Sequence, residues 1–557
     1  MQLIHLGATA LGLLGQLAAS TAIPNNWPPH GPHDPNHQPL PIVDLGYVKQ
    51  RASGFNATGK YYNFTNIAFA QPPVGDLRFA APKPPKYIAD VQDGNDKINP
   101  TCPQAWPIWL SETFLNTSSV PKGPSETEDC LYLDVLVPEK IFEQRQGRGS
   151  KAPVLVWIYG GGFNLGGKTQ NGDGSGLIAE STNDPHDEGL IFVALNYRLG
   201  AFGWLGGSDF QKQGGTSNAG LLDQRLALEW VQQNIRKFGG DPGRVTVIGE
   251  SGGAASIGQH LTAGKTGHDF DTCKTPFQQA IYQSPDQGSP KIPSDATFNT
   301  RYHDFLKKLN VNNLQEARAL SSDAVYEANK ATVEVYPGGM FTTFALSIDG
   351  SYVVGNIKEG LNAGRYDRNV KTMTAYNAAE GDIFTFTLDT PPTAKNFSFP
   401  AYVKSIVPDA SPDTINHISN DLYPLSAYAG VETDRTSTFN ADVFIVCNAY
   451  GLQSAYNNQG FAYEFSVPPA WHTQDVSYTL FNGHNGPGLP LVPSVAVDMQ
   501  KYFTNFAMHG NPNQRGLTAM SVFGSQASML NLTTDGNNVV SDPARMERCK
   551  FWEKYDV

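Results

Sequence analysis

Short, continuous apolar runs mark the middle of the chain. Val154–Tyr159, Leu190–Tyr197, Val245–Gly249 and Ala280–Gln283 lack the polar-every-second-residue rhythm of a half-exposed strand. Strands buried on both faces read this way, and they belong to parallel sheets covered by helices. Lys371–Tyr376 and Phe461–Phe465 are weaker runs of the same kind. Between the second and third runs the period changes. Leu222, Leu226 and Trp230 recur at every fourth position, as do Ala227, Val231 and Ile235, so Leu221–Phe238 is predicted helical with Gly239-Gly240 as its stop. Strands alternating with helices predict an α/β fold with a mostly parallel sheet, whose reactive groups lie beyond the carboxyl ends of the strands.

One strand-to-helix junction carries chemistry. The run entering at Val245 passes through Gly249-Glu250-Ser251-Gly252-Gly253 and leaves as a helix through Ala255, Ile257 and His260. This is G-x-S-x-G, a turn so sharp that glycines are needed two residues either side of a serine pushed out of the sheet. Alone the pattern is weak in a glycine-rich chain, and the strand-before, helix-after context is what makes Ser251 the candidate nucleophile. Glu250 beside it reads equally as a tuner of the local charge and as a satisfied buried acid.

Composition narrows the class. A 40% hydrophobic share supports a large core and excludes global disorder. The 52 acidic against 40 basic residues, a net charge of −12, argue against a nucleic-acid partner. Met1–Ala22 has no charged residue, an apolar centre at Leu11–Leu17 and a small-x-small end at Ser20-Thr21-Ala22, so residues 1–22 are expected to be a signal peptide, although His5 stands where Lys or Arg is usual. Secretion to the extracellular space follows. No later run of about 18 apolar residues suggests a membrane anchor. Residues 23–41 carry seven prolines, Pro24 to Pro41, and are expected to form an extended arm. Sequons at Asn56, Asn63, Asn116, Asn396 and Asn531 become candidate glycan sites once secretion is granted, which predicts surface positions. No cysteine–histidine cluster has metal-ligand spacing and no G-x-x-x-x-G-K-[ST] loop is present, so neither metal nor cofactor is expected.

Several further motifs, in one order along the chain, resemble those of the type-B carboxylesterase/lipase family, the α/β-hydrolase group that includes cholinesterases and fungal lipases. They are the segment Ile67–Phe79 with Pro72-Pro73, Gly75 and Arg78; Glu128-Asp129-Cys130-Leu-Tyr-Leu-Asp134; Asn196-Tyr-Arg-Leu-Gly-Ala-Phe-Gly203; Asn218-Ala-Gly-Leu-Leu-Asp223-Gln224-Arg225; Phe238-Gly-Gly-Asp-Pro242; and Phe506-Ala-Met-His-Gly510-Asn-Pro512. The length prior of about 150 residues per domain would allow three or four domains. Motifs spread in one family order imply instead a single α/β-hydrolase catalytic domain over 42–557, with loop and helical insertions in a central, mostly parallel sheet.

The resemblance implies a serine esterase whose triad runs Ser, acid, His along the chain. Glu380 is the expected acid, at the carboxyl end of Lys371–Tyr376, with Asp382 as competitor; Ala379 stands where the family usually has Asp. His472 is the expected base, after Phe461–Phe465, with His484 as rival; Thr473 replaces the usual Gly. Tyr159-Gly160-Gly161-Gly162 resembles the oxyanion loop, so the amides of Gly161, Gly162 and Gly252 are the expected donors, with Tyr159 in place of the family's frequent His and Gly252 in place of Ala. The resemblance also pairs Cys102 with Cys130 and Cys447 with Cys549, leaving Cys273 unpaired. The segment between Cys102 and Cys130 carries Trp106, Trp109, Leu110 and Phe114, and is read either as a lid favouring hydrophobic or aromatic esters or as a static cover. The expected ligand is a small-molecule or lipid ester. An interfacial lipase and a non-catalytic binding member of the fold are the competing functions, and the oligomeric state is not read from the chain.

Overall fold

The computed structural model of the protein describes residues 39–95, 99–146, 151–183, 189–264, 275–286, 292–335, 343–388, 390–484, 490–541 and 543–555. The expected signal peptide, most of the expected proline-rich arm and Cys273 lie outside the described residues. In chain order the first seven strands are β1 (Ile42–Asp44), β2 (Lys49–Arg51), β3 (Gly54–Asn56), β4 (Tyr61–Ala68), β5 (Val91–Gln92), β6 (Tyr132–Pro138) and β7 (Ala152–Ile158). They are followed by β8 (Ile191–Leu195), β9 (Gly240–Glu250), β10 (Gln279–Gln283), β11 (Lys371–Asn377), β12 (Phe461–Phe465), β13 (Ser528–Leu532) and β14 (Asn538–Ser541). Eleven of them form one sheet in the order β14-β13-β12-β11-β10-β9-β7-β8-β6-β4-β3. From β8 through β13 every neighbouring pair is parallel, and antiparallel strands close both edges.

All six predicted runs are strands of the parallel part. Every residue of β7 and β8 is buried, which is why their sequences are continuously apolar. The predicted helix spans Ala219–Asn234, tightens into a 3-10 turn at Ile235–Phe238 and ends at Gly239 with φ 100°. Its buried face differs from the expected one. Leu222 and Leu226 are only partly covered, whereas Asp223, Gln224 and Arg225 are buried, because Asp223 pairs with Arg198 (2.8 Å) and Gln224 bonds to Ser256 and His260.

The family-like motifs serve the fold through buried ion pairs of this kind. Arg78 meets Glu128 at 2.6 Å and Lys168 meets Asp134 at 2.5 Å, both buried. Removing one partner of such a pair leaves an uncompensated charge in the core, at a cost of about 3–5 kcal/mol.

A second apolar core lies beside the sheet, between β11 and β12, in the helices Glu380–Phe386, Phe399–Ile406, Pro412–His417, Glu432–Ala441 and Cys447–Ala455. The C-terminal helix Pro543–Lys554 joins it through Trp552, and a disulfide links Cys447 to Cys549. Cys102 is likewise disulfide-bonded to Cys130. Inside that loop Trp106 and Leu110 are buried in this second core, as a static cover would be, while the side chain of Phe114 lies outside the described residues. No helix among the described residues is long and apolar enough to cross a membrane. Of the sequons, Asn116 and Asn396 are exposed, and Asn56 and Asn531 are partly covered. Asn63 corrects the surface expectation: it is 9% exposed within β4, flanked by β3 and β6, and its Oδ1 is buried without a partner.

Candidate active site

The carboxyl ends of β7, β9, β10, β11 and β12 converge on one place. β9 ends at Glu250, and Ser251 follows with φ 53° and ψ −125°, a backbone conformation strained for a residue with a Cβ. Its amide donates to Gln283 O at the end of β10 (2.9 Å), and its carbonyl accepts from Ala255 in the helix Gly252–Leu261. The flanking glycines have a steric reason. A Cβ on Gly253 would lie 2.2 Å from Ile158 O, and one on Gly249 would lie 2.8 Å from both Ile158 O and Gly253 C.

His472 Nε2 lies 3.0 Å from Ser251 Oγ, and His472 Nδ1 lies 2.5 Å from Glu380 Oε2. A carboxylate accepts, so the proton sits on Nδ1 and Nε2 is free to accept the hydroxyl proton. The other oxygen of Glu380 accepts from Ser284 Oγ (2.5 Å) and from the Asn377 amide (2.6 Å). All three side chains are buried: Ser251 is 2% exposed, Glu380 0% and His472 3%. The competitors lie elsewhere. Asp382 accepts from Ser437 (2.6 Å), and His484 is exposed.

Burial opposes a charge on His472, but Glu380, with Glu250 and Asp286 beside it, more than offsets this and raises the imidazole above its ordinary value. Glu250 is the third acid here, its Oε1 3.5 Å from His472 Nε2 and without a hydrogen bond. Burial, reinforced by Asp475, Glu380 and Asp286, holds its carboxyl well above the usual range despite His472. Beneath the histidine, Asp475 accepts from Gln283 (2.8 Å) and Tyr463 (3.0 Å), and is pushed up to about 6 by burial and by Glu380.

After β7 the chain turns through Gly161 (φ 106°), Gly162 (φ 57°) and Phe163 (φ 63°). The amides of Gly161, Gly162 and Gly252 donate no hydrogen bond to another described residue. A Cβ built on Gly252 would sit 3.6 Å from the Gly162 nitrogen, so two of the three amides are neighbours. Tyr159 stacks on Tyr197 with ring centres 4.3 Å apart, and each hydroxyl donates to the other's carbonyl, at 3.0 and 2.7 Å. This reciprocal pair anchors the start of the glycine loop where the family often has His.

Sequence reasoning did not single out Ser284, Asn377 or Gln283. Gln283 ends a recognised strand run and Ser284 follows it, but their partners lie roughly 100 to 200 residues away, and no local pattern marks them.

A mostly parallel sheet with a sharp serine turn, a histidine and an acid at its carboxyl edge defines an α/β-hydrolase fold. The family model described as "Carboxylesterase family" matches residues 41–552. The chain belongs to the carboxylesterase family and is a carboxylic-ester hydrolase. It is 37% identical to Carboxylesterase patB of Penicillium expansum over 93% of this chain and 96% of that one. It is 30% identical to Lipase 1 of Geotrichum candidum, over 89% and 92%. The crystal structure of Aspergillus niger EstA shares the fold at a TM-score of 0.73 and 23% identity, covering 92% of this chain and 98% of that one.

Proposed function

We propose that residues 42–557 form one secreted catalytic unit, cleaved from a leader at residues 1–22, in which Ser251, His472 and Glu380 hydrolyse carboxylic esters through an acyl-enzyme. The unbroken chain of contacts from Ser251 Oγ to His472 to Glu380, at 3.0 and 2.5 Å, carries this reading. His472 removes the proton of Ser251 as Oγ attacks the ester carbonyl carbon. The amides of Gly161, Gly162 and Gly252 take the negative charge that develops on the carbonyl oxygen, each contributing about 3 kcal/mol in comparable sites. His472 then protonates the departing alkoxide. Water, deprotonated by His472, attacks the acyl-serine and releases the acid, returning the proton through His472 to Ser251. Glu380 orients the imidazole and stabilises its charge throughout.

Hydrophobic or aromatic esters in solution are the substrates we favour. Phe384 lies 5.3 Å from the His472 ring, Phe163 packs on Trp204, and Trp471 precedes the histidine. The burial of Trp106 and Leu110 in the second core supports a fixed rim rather than a lid that opens at lipid. The intact serine and its partners weigh against a non-catalytic binding role.

Ser251→Ala should abolish turnover of a dissolved p-nitrophenyl ester while leaving the fold intact. Undiminished turnover would overturn the nucleophile assignment. A rate that jumps on emulsified ester above its solubility limit would instead favour the lipase reading.

A further inference from the structure

The glycine loop occupies left-handed backbone conformations at Gly161, Gly162 and Phe163 in succession. Such a segment belongs to no helix or ladder, and it keeps its shape only where its surroundings over-determine it. Its own contacts hold one peptide group firmly. Gly161 O accepts from the amides of Asn164 (3.1 Å) and Leu165 (3.0 Å), and Asn164 Nδ2 donates to Gly162 O (2.8 Å). Gly161 C=O and Gly162 N–H are the two ends of one planar group, so fixing the oxygen aims the N–H.

The far end of the loop is held from outside, by Gln104. Its buried side-chain amide makes a two-way fork on Gly166: Oε1 accepts from Gly166 N (2.7 Å) and Nε2 donates to Gly166 O (2.8 Å). Nε2 also donates to Cys102 O (2.8 Å). The next residue, Ala105, donates its amide to Asn164 O (3.0 Å). Gly166 has φ 122°, and a Cβ there would lie 2.2 Å from the Tyr159 ring. Gln104 is itself fixed on three sides, by the Cys102–Cys130 disulfide, by Glu126 Oε2 accepting from its backbone N–H (2.7 Å), and by Asn196, which donates to Pro100 O (2.7 Å) and Cys130 O (3.1 Å). The base of the disulfide loop is therefore stitched to the glycine loop.

We infer that Gln104 is a positioning residue for ester hydrolysis: its fork on Gly166, together with Ala105 on Asn164, sets the direction in which the Gly161 and Gly162 amides meet the oxyanion. This rests on the reading of those amides as oxyanion donors. The disulfide loop thus serves the transition state through its base, whatever its tip does.

The test uses Gln104→Met, which fills the same space without a donor or a strong acceptor. With a soluble p-nitrophenyl ester, kcat should fall ~10-fold or more while KM stays within about twofold, because misaimed oxyanion donors weaken the transition state more than the ground state. Binding of a trifluoromethyl ketone, which forms a tetrahedral oxyanion on the serine, should weaken by a similar factor. Active-site titration with an organophosphate should still label one serine per chain. Gln104→Glu, which keeps an acceptor for the Gly166 amide and, when protonated, a donor for its carbonyl, should run closer to wild type at pH 6 than Gln104→Met. Retention of both kcat and ketone affinity within twofold overturns the proposal, as does a loss of kcat matched by an equal loss of titratable serine. If Gln104→Met does not accumulate folded, Gln104→Asn, with the same amide on a shorter arm, carries the same readouts. Gly161→Ala separates the two layers, since its Cβ would lie 2.4 Å from Leu165 O and must distort the loop. If it leaves kcat and ketone affinity unchanged, the oxyanion assignment itself fails. If it impairs both and Gln104→Met impairs neither, only the role of Gln104 fails.

Discussion

Ser284 donates its hydroxyl to Glu380 Oε1 at 2.5 Å, on the opposite carboxylate oxygen from the one that meets His472. With the Asn377 amide at 2.6 Å, this leaves the acid little freedom to rotate away from the imidazole. A hydrogen bond to a charged group contributes about 1.5–3 kcal/mol. Ser284→Ala should therefore lower kcat/KM by about tenfold while Ser251 remains fully labelled by an organophosphate. Wild-type kcat/KM would mean that the Asn377 amide alone orients the acid.

The two glycines after the nucleophile should respond oppositely to a methyl group. A Cβ on Gly252 would meet nothing nearer than the Phe163 ring at 3.4 Å, an ordinary contact. Gly252→Ala should retain activity and raise the thermal midpoint, because alanine reduces the freedom of the unfolded chain by about 0.4–1 kcal/mol. Gly253→Ala would drive a Cβ to 2.2 Å from Ile158 O and should displace the elbow, with loss of serine labelling. Comparable activity in the two variants would contradict this account of the turn.

Glu250 and Glu380 both face His472, and their substitutions should separate by pH. An ionised neighbour raises the imidazole pKa, so Glu380→Gln should move the acid limb of the kcat/KM profile to lower pH as it lowers the plateau. Burial holds the Glu250 carboxyl well above its ordinary range, which weakens the charge it sets against the imidazole. Glu250→Gln should therefore move the limb in the same direction but by less than Glu380→Gln. A downward shift in Glu250→Gln as large as that in Glu380→Gln would overturn this ranking of the two acids.

His260 lies buried behind the elbow helix, its Nδ1 2.6 Å from Tyr352 OH and its Nε2 3.1 Å from Gln224 Oε1. Burial, with the Arg225 charge, lowers its pKa to about 3. An unfolded histidine titrates near 6.5. The folded pKa is depressed, so the neutral ring's contribution is present in full above pH 6.5 and is lost as pH falls toward 3, at about 1.4 kcal/mol per unit. His260→Gln should destabilise the protein at pH 7, and the gap to wild type should narrow steadily between pH 6.5 and 4.5, measured as urea midpoints. A constant gap would place the acid sensitivity elsewhere.

The amino-acid sequence by itself determined the parallel heart of the sheet, because strands buried on both faces must be continuously apolar, as β7 and β8 are. It also determined the elbow, because only glycine fits between Ser251 and β7. Tertiary structure alone decided the rest. The antiparallel strands β4 and β6 carry Asn63, Asn66 and Asp134, polar positions that break the apolar signal. Asn66 and Asp134 are nevertheless buried because the Asn66 amide donates to Asp134 and Lys168 pairs with it from across the fold. That Glu380 rather than Asp382 meets His472 depends on the helix start at Glu380, which turns one carboxylate toward the histidine and the other toward Ser437. Ser284 and Gln104 were invisible along the chain for the same reason: a hydroxyl or an amide acquires its meaning from a partner that only folding brings within hydrogen-bond reach.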